Sequence, residues 1–209
     1  MIAIIDYNAG NLTSVAHAVR NLNFQCTITN DTNSILNAER IIFPGVGAAG
    51  SAMESLKRLG IDSAVRDAFA QGKPLLGICL GTQIIMGHSD ENDTECIGIV
   101  EGNVKPFRKN MNSNDGLQLK IPHMGWNRIS RIIDHPVLSG LDEEDEFYFV
   151  HSYYPVPDNS GHIIAITDYG FSFPSVIGFN NLIATQFHPE KSGKPGLKIL
   201  KNFCVWKPC

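Results

Sequence analysis

The sequence predicts an α/β fold with a mostly parallel central sheet flanked by helices and with an additional β-rich second half. Three observations predict it. Strand-like apolar runs alternate with amphipathic helical patterns in the first half, and this order favours parallel strands covered by helices. Short β-rich runs separated by Gly and Pro dominate the second half. Hydrophobic residues make up 43% of the 209 residues, which is enough for the core of a single domain spanning residues 1–209.

In the first half, continuous apolar runs bounded by turn residues predict strands, and apolar residues three or four positions apart predict helices. The predicted strands are residues 2–6, 25–29, 40–43 and 73–78. The predicted helices are residues 12–22, 51–59, 63–71 and a segment from Leu80 to about Gly87.

In the second half, the predicted β segments are residues 97–107, 117–121, 146–150, 163–168, 175–179 and 182–186. A helix is predicted over residues 195–205, and the polar residues 109–116 indicate a surface loop.

Composition narrows the class of protein. The net charge is −4 and Lys and Arg form no cluster, so nucleic acid is not expected as a partner. No apolar run approaches the roughly 20 residues of a membrane helix, and the apolar N-terminus is too short for a signal peptide. We therefore expect a cytoplasmic protein with no membrane partner, whose five cysteines are free thiols. No HExxH or CxxC spacing occurs, so no metal site or cofactor is expected.

Cys79 lies between Gly77 and Gly81, where an apolar run meets helix-forming residues. This pattern is typical of a nucleophile elbow, with Cys in place of Ser. The positive end of the following helix favours a thiolate there, and the two glycines allow a sharp turn. An isolated cysteine is more often a buried structural residue, but this context favours a nucleophile.

His188 and Glu190 flank Pro189 far downstream. In extended backbone, residues two apart point to the same side, and Pro189 disfavours a helix at His188. The pair can therefore supply a general base and the carboxylate that orients it. A turn with two solvated side chains is the alternative, and Cys79 is what favours a Cys-His-Glu triad.

Residues 43–47, Phe-Pro-Gly-Val-Gly, predict a glycine-rich turn between a strand and a helix. Backbone amides in such a turn can stabilise an oxyanion, and the amide of Leu80 directly after Cys79 is a second candidate donor. An ordinary turn is the alternative. The segment lacks the Gly-Lys-Ser/Thr ending of a phosphate-binding P-loop.

These motifs resemble those of the class I, triad-type glutamine amidotransferases, in the same order along the chain. The resemblance covers nearly the whole sequence and is greater to one branch, the glutaminase subunits of imidazole glycerol phosphate synthase. The markers of that branch are residues 43–47, Pro-His-Met-Gly-Trp-Asn at 122–127, Phe-Tyr-Phe-Val-His-Ser-Tyr at 147–153 and Phe-His-Pro-Glu-Lys-Ser at 187–192.

The resemblance implies that Cys79 attacks the side-chain amide of glutamine, that His188 transfers protons and that Glu190 orients His188. It also implies oxyanion donors at Gly47 and Leu80. The residues that it implies for substrate binding are Gln83, Glu91, Ser152 and Tyr153.

The resemblance further implies a heterodimer with a cyclase subunit of TIM-barrel fold. That subunit receives ammonia and makes imidazole glycerol phosphate and AICAR in histidine biosynthesis. Cyclase ligands activate the glutaminase, and residues 44–47 are the expected mobile element. The implied interface residues are Asn11, Trp126, Tyr148 and Lys191. Core packing is the alternative for the two aromatic residues.

Three other functions are compatible with these motifs. A paralogous glutaminase subunit delivers ammonia to another synthase, such as a surface-sugar amidotransferase. A non-enzymatic regulatory subunit keeps the fold without activity, which the complete triad disfavours. A cysteine protease or γ-glutamyl hydrolase uses the same triad, which the interface markers and the lack of a secretion signal disfavour.

Overall fold

The computed structural model describes residues 1–8, 10–112 and 116–208. Its strands are β1 (Ile2–Ile5), β2 (Cys26–Thr29), β3 (Arg40–Gly45), β4 (Leu75–Cys79), β5 (Met86–Ser89), β6 (Thr94–Glu95), β7 (Val100–Pro106), β8 (His123–Arg128), β9 (Ser130–Arg131), β10 (Glu146–His151), β11 (Tyr153–Pro157), β12 (Ile163–Asp168), β13 (Ser172–Phe179) and β14 (Leu182–Thr185). Its α-helices are α1 (Leu12–Asn21), α2 (Thr32–Asn37), α3 (Ala49–Leu59), α4 (Ile61–Ala70), α5 (Leu80–Ile84) and α6 (Gly193–Val205).

The main sheet has eight strands in the order β2-β1-β3-β4-β14-β13-β12-β9. The pairings from β2 through β14 are parallel, and the last three strands join antiparallel. This arrangement confirms the predicted fold class. The carboxyl ends of β3, β4 and β14 meet at one edge of the sheet, where ligands of open α/β sheets bind.

Two smaller sheets complete the second half. Strands β8 and β10 form an antiparallel pair, and β11-β7-β5-β6 form a mixed four-stranded sheet. Strand β10 ends at His151 and β11 begins at Tyr153, so the chain passes from one small sheet to the other at Ser152.

Two apolar cores cover the two faces of the main sheet. One contains buried residues of α1 and α6, and the other contains buried residues of α2, α3 and α4. In β3, Ile42 belongs to the first core, whereas Ile41 and Phe43 belong to the second. This alternation is the period-two pattern of a strand that is buried on both faces.

Two sequence predictions of secondary structure are wrong. The helix after Cys79 ends at Ile84, because Met86 pairs with Val100 and residues 86–89 become β5. The predicted strand over residues 117–121 is also absent, since the described part of this segment forms only a bridge between Asn112 and Gln118. Part of the predicted loop at 109–116, residues 113–115, lies outside the described residues, as does Cys209.

The sequence prediction missed α2 and the strands β5, β6, β8, β9 and β11. Helix α2 has a local signal, since the side chain of Asp31 accepts a hydrogen bond from the backbone N–H of Ser34 at 2.7 Å. Asp is a preferred N-cap residue. Within the described ranges, no helix is long and apolar enough to cross a membrane.

Candidate active site

Cys79 lies at the turn where β4 ends and α5 begins. Its backbone has φ 54° and ψ −106°, a conformation that residues with a side chain rarely adopt. The side chain is 6% exposed. Its Sγ is 3.9 Å from the carbonyl oxygen of Val150 and 3.9 Å from Nε2 of Gln186. The predicted elbow therefore holds the thiol in a strained, largely buried position.

The glycines on either side of the elbow have no room for a side chain. A Cβ on Gly81 would lie 1.8 Å from the carbonyl oxygen of Phe43, and one on Gly77 would lie 2.9 Å from Cβ of Ala184. The elbow thus packs directly against the neighbouring strands β3 and β14.

His188 and Glu190 form a buried hydrogen-bonded pair, with His188 Nδ1 and Glu190 Oε1 2.8 Å apart. The backbone of His188 is extended, but Glu190 belongs to a single 3₁₀ turn, Pro189–Lys191. The sequence therefore predicts the pairing correctly but not its backbone, because the turn, rather than a continuous strand, places the carboxylate against the ring.

The hydrogen bond to Glu190 assigns a proton to Nδ1 of His188. Nε2 is buried, and among the described residues it has no hydrogen-bond partner. Burial alone opposes a charge on this ring, but the negative charges of Cys79 and Glu190 outweigh burial and raise the pKa of His188 to about 9. The site therefore favours an imidazolium beside the thiol at neutral pH.

Asn11 contacts the same carboxylate. Its side-chain Nδ2 donates a hydrogen bond to Oε1 of Glu190, and its backbone has a left-handed φ of 72°. Asn is one of the few residues with a side chain that adopts this conformation readily. The sequence predicts Asn11 near an interface; the structure adds a contact that orients Glu190.

A cavity of about 350 Å³ opens at Cys79 and His188. All six residues predicted to bind substrate or an oxyanion line it: Gly47, Leu80, Gln83, Glu91, Ser152 and Tyr153. Glu190 lies behind His188, with a side chain that is 0% exposed. Sequence reasoning missed four further lining residues, which are Val46, Pro122, Val150 and His151. All four lie within marker segments of the resemblance, a signal that was available.

Two of the lining side chains already have protein partners. Gln83 Nε2 donates to the carbonyl oxygen of Tyr153 at 3.0 Å and to Oε1 of Gln186 at 3.2 Å. Oε2 of Glu91 accepts a hydrogen bond from the backbone N–H of Ala49 at 2.7 Å, at the start of α3. Gln83 therefore offers a ligand its oxygen rather than its N–H groups.

The two candidate oxyanion donors, Gly47 and Leu80, both line the cavity. Gly47 has φ 102°, a conformation that requires glycine, and no atom lies within 4 Å of where its Cβ would be. Leu80 is the first residue of α5, so its N–H is among those left without a partner in the helix.

Trp126 is 54% exposed, so the core alternative is wrong for this residue. It lies opposite Tyr148 in the β8–β10 pair, with ring centroids 5.9 Å apart. Nζ of Lys191 lies 5.8 Å from the centroid of the Tyr148 ring. We call Trp126, Tyr148 and Lys191, with Met124 at 62% exposure, the aromatic patch.

Within residues 1–8, 10–112 and 116–208, no group of three or more His, Cys, Asp or Glu side chains is arranged to hold a metal ion. Burial raises the pKa of Cys96 to about 11 and that of Cys204 to about 12. These two thiols therefore remain protonated at neutral pH.

Comparisons with known proteins agree with this geometry. The family model for glutamine amidotransferase class-I matches residues 3–206. A solved structure of a glutamine amidotransferase superposes with a TM-score of 0.70 at 18% identity, over 98% of this chain and 100% of that one. At that identity the superposition shows a shared fold.

Two curated relatives have the same description, imidazole glycerol phosphate synthase subunit HisH. The protein from Nitratidesulfovibrio vulgaris (strain DSM 19637 / Miyazaki F) is 50% identical over 99% of this chain and 97% of its own length. The protein from Dehalococcoides mccartyi (strain ATCC BAA-2266 / KCTC 15142 / 195) is 46% identical over 97% of this chain and 96% of its own. The chain therefore belongs to the class-I glutamine amidotransferases and, within them, to the family of HisH subunits of imidazole glycerol phosphate synthase.

Proposed function

We propose that Cys79, His188 and Glu190 form the catalytic triad of a glutaminase that hydrolyses glutamine to glutamate and ammonia. The observation that carries the proposal is the thiol of Cys79 on a strained elbow, in one cavity with the buried His188–Glu190 pair. A sulfur nucleophile, a base and a carboxylate that orients the base are the parts that acyl transfer needs.

The reaction has two steps. The thiolate of Cys79 attacks the side-chain carbonyl carbon of glutamine, and His188 gives its Nε2 proton to the leaving nitrogen, which departs as ammonia. A water molecule then gives a proton to Nε2 of His188 as its oxygen attacks the thioester carbon. The C–S bond breaks and restores the Cys79 thiolate beside the His188 imidazolium, and the product leaves as glutamate after its new carboxyl group loses a proton to solvent. Glu190 keeps Nδ1 protonated, so that Nε2 serves as the atom that exchanges protons.

The residues that line the cavity have complementary roles in this proposal. The amides of Gly47 and Leu80 stabilise the oxyanion. The carboxylate of Glu91 attracts the substrate ammonium group, and Ser152 and Tyr153 hold the substrate carboxylate. The oxygen of Gln83 contributes to the polar wall, while its N–H groups keep Tyr153 in place.

Ammonia passes to a cyclase subunit of TIM-barrel fold that makes imidazole glycerol phosphate and AICAR in histidine biosynthesis. The relatives are named as subunits of a synthase, and the aromatic patch offers a surface on which such a subunit docks. Exposed Trp and Tyr side chains are enriched at protein interfaces. Asn11, half-buried, links this side of the molecule to Glu190.

The test is glutamate release from glutamine by the chain alone, with a histidine-pathway cyclase subunit, and with that subunit and its nucleotide ligand. We expect release to be greatest in the third mixture and to vanish in Cys79→Ala. The matched control is Cys26→Ala, which removes another buried thiol, one that does not line the cavity, and keeps activity.

Other outcomes separate the remaining hypotheses. A glutamine-analogue electrophile that labels Cys79 without any activation by this cyclase points to a different synthase as the client. Absence of both labelling and release in the complete mixture would contradict the glutaminase itself.

A further inference from the structure

We propose that Asn127, His123 and His151 form a hydrogen-bonded relay that positions the Ser152–Tyr153 wall of the cavity for glutamine. The three are positioning residues, and none of them exchanges a proton with substrate. The proposal rests on the glutaminase function above and concerns how the cavity keeps its shape.

The relay runs through four consecutive polar contacts. Nδ1 of His151 is 2.7 Å from the carbonyl oxygen of Tyr153, and Nε2 of His151 is 3.0 Å from Nδ1 of His123. Nε2 of His123 is 3.3 Å from Nδ2 of Asn127, which also donates to the carbonyl oxygen of Asp168 at 2.9 Å. Both ends of the relay are therefore backbone carbonyl oxygens.

These ends fix every proton along the relay. A carbonyl oxygen only accepts, so His151 carries its proton on Nδ1 and accepts at Nε2. His123 must then donate from Nδ1, which leaves its Nε2 to accept from the amide of Asn127. With both imidazoles neutral, a single arrangement of protons satisfies all the contacts.

The surroundings keep the two imidazoles neutral. His123 is 3% exposed and stacks between Phe149 and Tyr169, with ring centroids 4.7 Å and 4.0 Å away. His151 is 5% exposed. Burial lowers the pKa of His123 to about 4 and that of His151 to about 3, so neither ring is charged at neutral pH.

The relay crosses the point at which the chain changes sheets. His123 and His151 are register partners at one end of the β8–β10 pair, whereas Tyr153 begins β11 in the four-stranded sheet. Ser152 lies between the two strands, and its carbonyl accepts a hydrogen bond from the backbone N–H of Phe107 at 3.0 Å. The carbonyl of Tyr153 is held from one side by His151 and from the other by Gln83 of α5. Loss of the relay would remove one of these two side-chain hydrogen bonds, and Ser152 and Tyr153 would then be positioned by Gln83 and by backbone pairing alongside β7.

The first test variant is His123→Phe, which keeps a ring between Phe149 and Tyr169 but removes both hydrogen bonds. The second is Asn127→Asp, an isosteric change at a half-buried position that puts a carboxylate oxygen where an N–H donor is needed. The matched control is His162→Phe. His162 also stacks on an aromatic ring, Phe179, with centroids 4.4 Å apart, but it is not among the residues that line the cavity.

Two measurements separate positioning from a general structural effect. The first is KM and kcat for glutamate release by the chain with its cyclase partner. The second is the rate at which Cys79 reacts with iodoacetamide, compared with its rate of labelling by a glutamine-analogue electrophile. Iodoacetamide needs the thiol but not the substrate-binding wall.

We expect His123→Phe and Asn127→Asp to raise KM by about tenfold, because each leaves a buried donor or acceptor without a partner. Both variants should slow labelling by the glutamine analogue by the same factor. We expect kcat and the iodoacetamide rate to stay within about twofold, and His162→Phe to match the unmodified chain. An unchanged KM in a folded variant, or equal loss of both labelling rates, would overturn the relay. If the unmodified chain neither releases glutamate nor reacts with the analogue, the glutaminase proposal has failed instead.

Discussion

Gly45 and Cys79 are register partners at the carboxyl ends of the adjacent parallel strands β3 and β4. The α-carbon of Gly45 lies against the hydroxyl of Tyr7, because a Cβ at Gly45 would be 2.0 Å from that oxygen. It would also be 2.9 Å from Cβ of Leu80. The nucleophile turn is therefore enclosed by a neighbouring strand that tolerates no side chain at this position.

Gly45→Ala should destabilise the chain by about 1–3 kcal/mol, the usual effect of overpacking a filled core. The control is Gly50→Ala in α3, where the nearest atom to the new Cβ is 3.5 Å away. That variant should be neutral or slightly more stable, because alanine favours a helix over glycine. Urea unfolding midpoints measure both. Equal stability of the two variants would show that Tyr7 and the elbow adjust freely.

The pH dependence of glutamate release should reflect His188. Its pKa is raised to about 9, so the ring keeps its proton through neutral pH and loses it as the pH rises through that value. Release should therefore fall above about pH 9, since the ring can no longer protonate the leaving nitrogen. Glu190→Gln removes a negative charge and should move this fall to lower pH as well as reduce the rate. Glu143→Gln, at an exposed position, is the control. A fall at the same pH in Glu190→Gln would contradict the assigned cause.

Asn11→Asp should reduce glutamate release by about ten- to a hundredfold, because it replaces a donor to Glu190 with a second carboxylate. The backbone need not change, since Asp also tolerates the left-handed conformation. Asn8→Asp is the matched control, because Asn8 is exposed and has a similar φ of 68°. Steady-state rates of the complete complex measure the effect. Equal rates in the two variants would show that the Asn11 contact does not orient Glu190.

Trp126→Ala should weaken binding of the cyclase subunit by at least tenfold, the loss expected for an interface anchor, without lowering the unfolding midpoint of the free chain. The indole is mostly exposed, so its removal leaves no cavity in the core. The control is Ile132→Ala, which truncates an apolar side chain that is 57% exposed and lies outside the aromatic patch. Titration calorimetry and thermal unfolding measure the two effects. Unchanged affinity for the cyclase would place the interface on another surface.

Acid should destabilise the chain through the relay histidines. In the unfolded chain, both imidazoles bind a proton below about pH 6.5, whereas in the folded chain they do so only near pH 4 and pH 3. The unfolded state thus binds more protons in this range, and the stabilisation present above pH 6.5 is lost as the pH falls towards 4. His123→Phe should show a smaller loss between pH 6.5 and pH 4 in urea unfolding. An identical slope would indicate that His123 is protonated in the folded state.

Local patterns predicted the features that depend on neighbouring residues. The apolar run of β3, the glycines around Cys79 and the helix α1 were all predicted from local sequence. The pairing of Cys79 with His188 needed more than spacing, and only the joint presence of the two motifs indicated it. Strands such as β8 and β11 escaped prediction because neither contains an uninterrupted apolar run: β8 includes Gly125 and polar residues, and β11 includes Pro155 and Pro157. Long-range pairing with β10 and β7 stabilises them.

Within the site, the contact between His123 and His151 could not be predicted from local sequence patterns either. The two residues are 28 positions apart in the chain, and no spacing rule links them. Their contact follows from the register of β8 and β10, which depends on the tertiary structure. Both histidines lie within marker segments of the resemblance, but the sequence indicates a role for neither.

The backbone of Tyr148 makes two hydrogen bonds to the segment that carries the base, and a third hydrogen bond within that segment joins them. Its carbonyl accepts from the N–H of His188 at 2.9 Å, its own N–H donates to Oγ of Ser192 at 3.0 Å, and that hydroxyl donates to the carbonyl of His188 at 2.6 Å. These hydrogen bonds tie strand β10 to the backbone segment that carries the imidazole of His188. We expect a partner that displaces the aromatic patch to move His188 together with β10, so that the position of the imidazole relative to this strand stays the same. We therefore expect any rearrangement of the site on partner binding to involve residues 44–47, where no atom lies within 4 Å of the position that a Cβ on Gly47 would take.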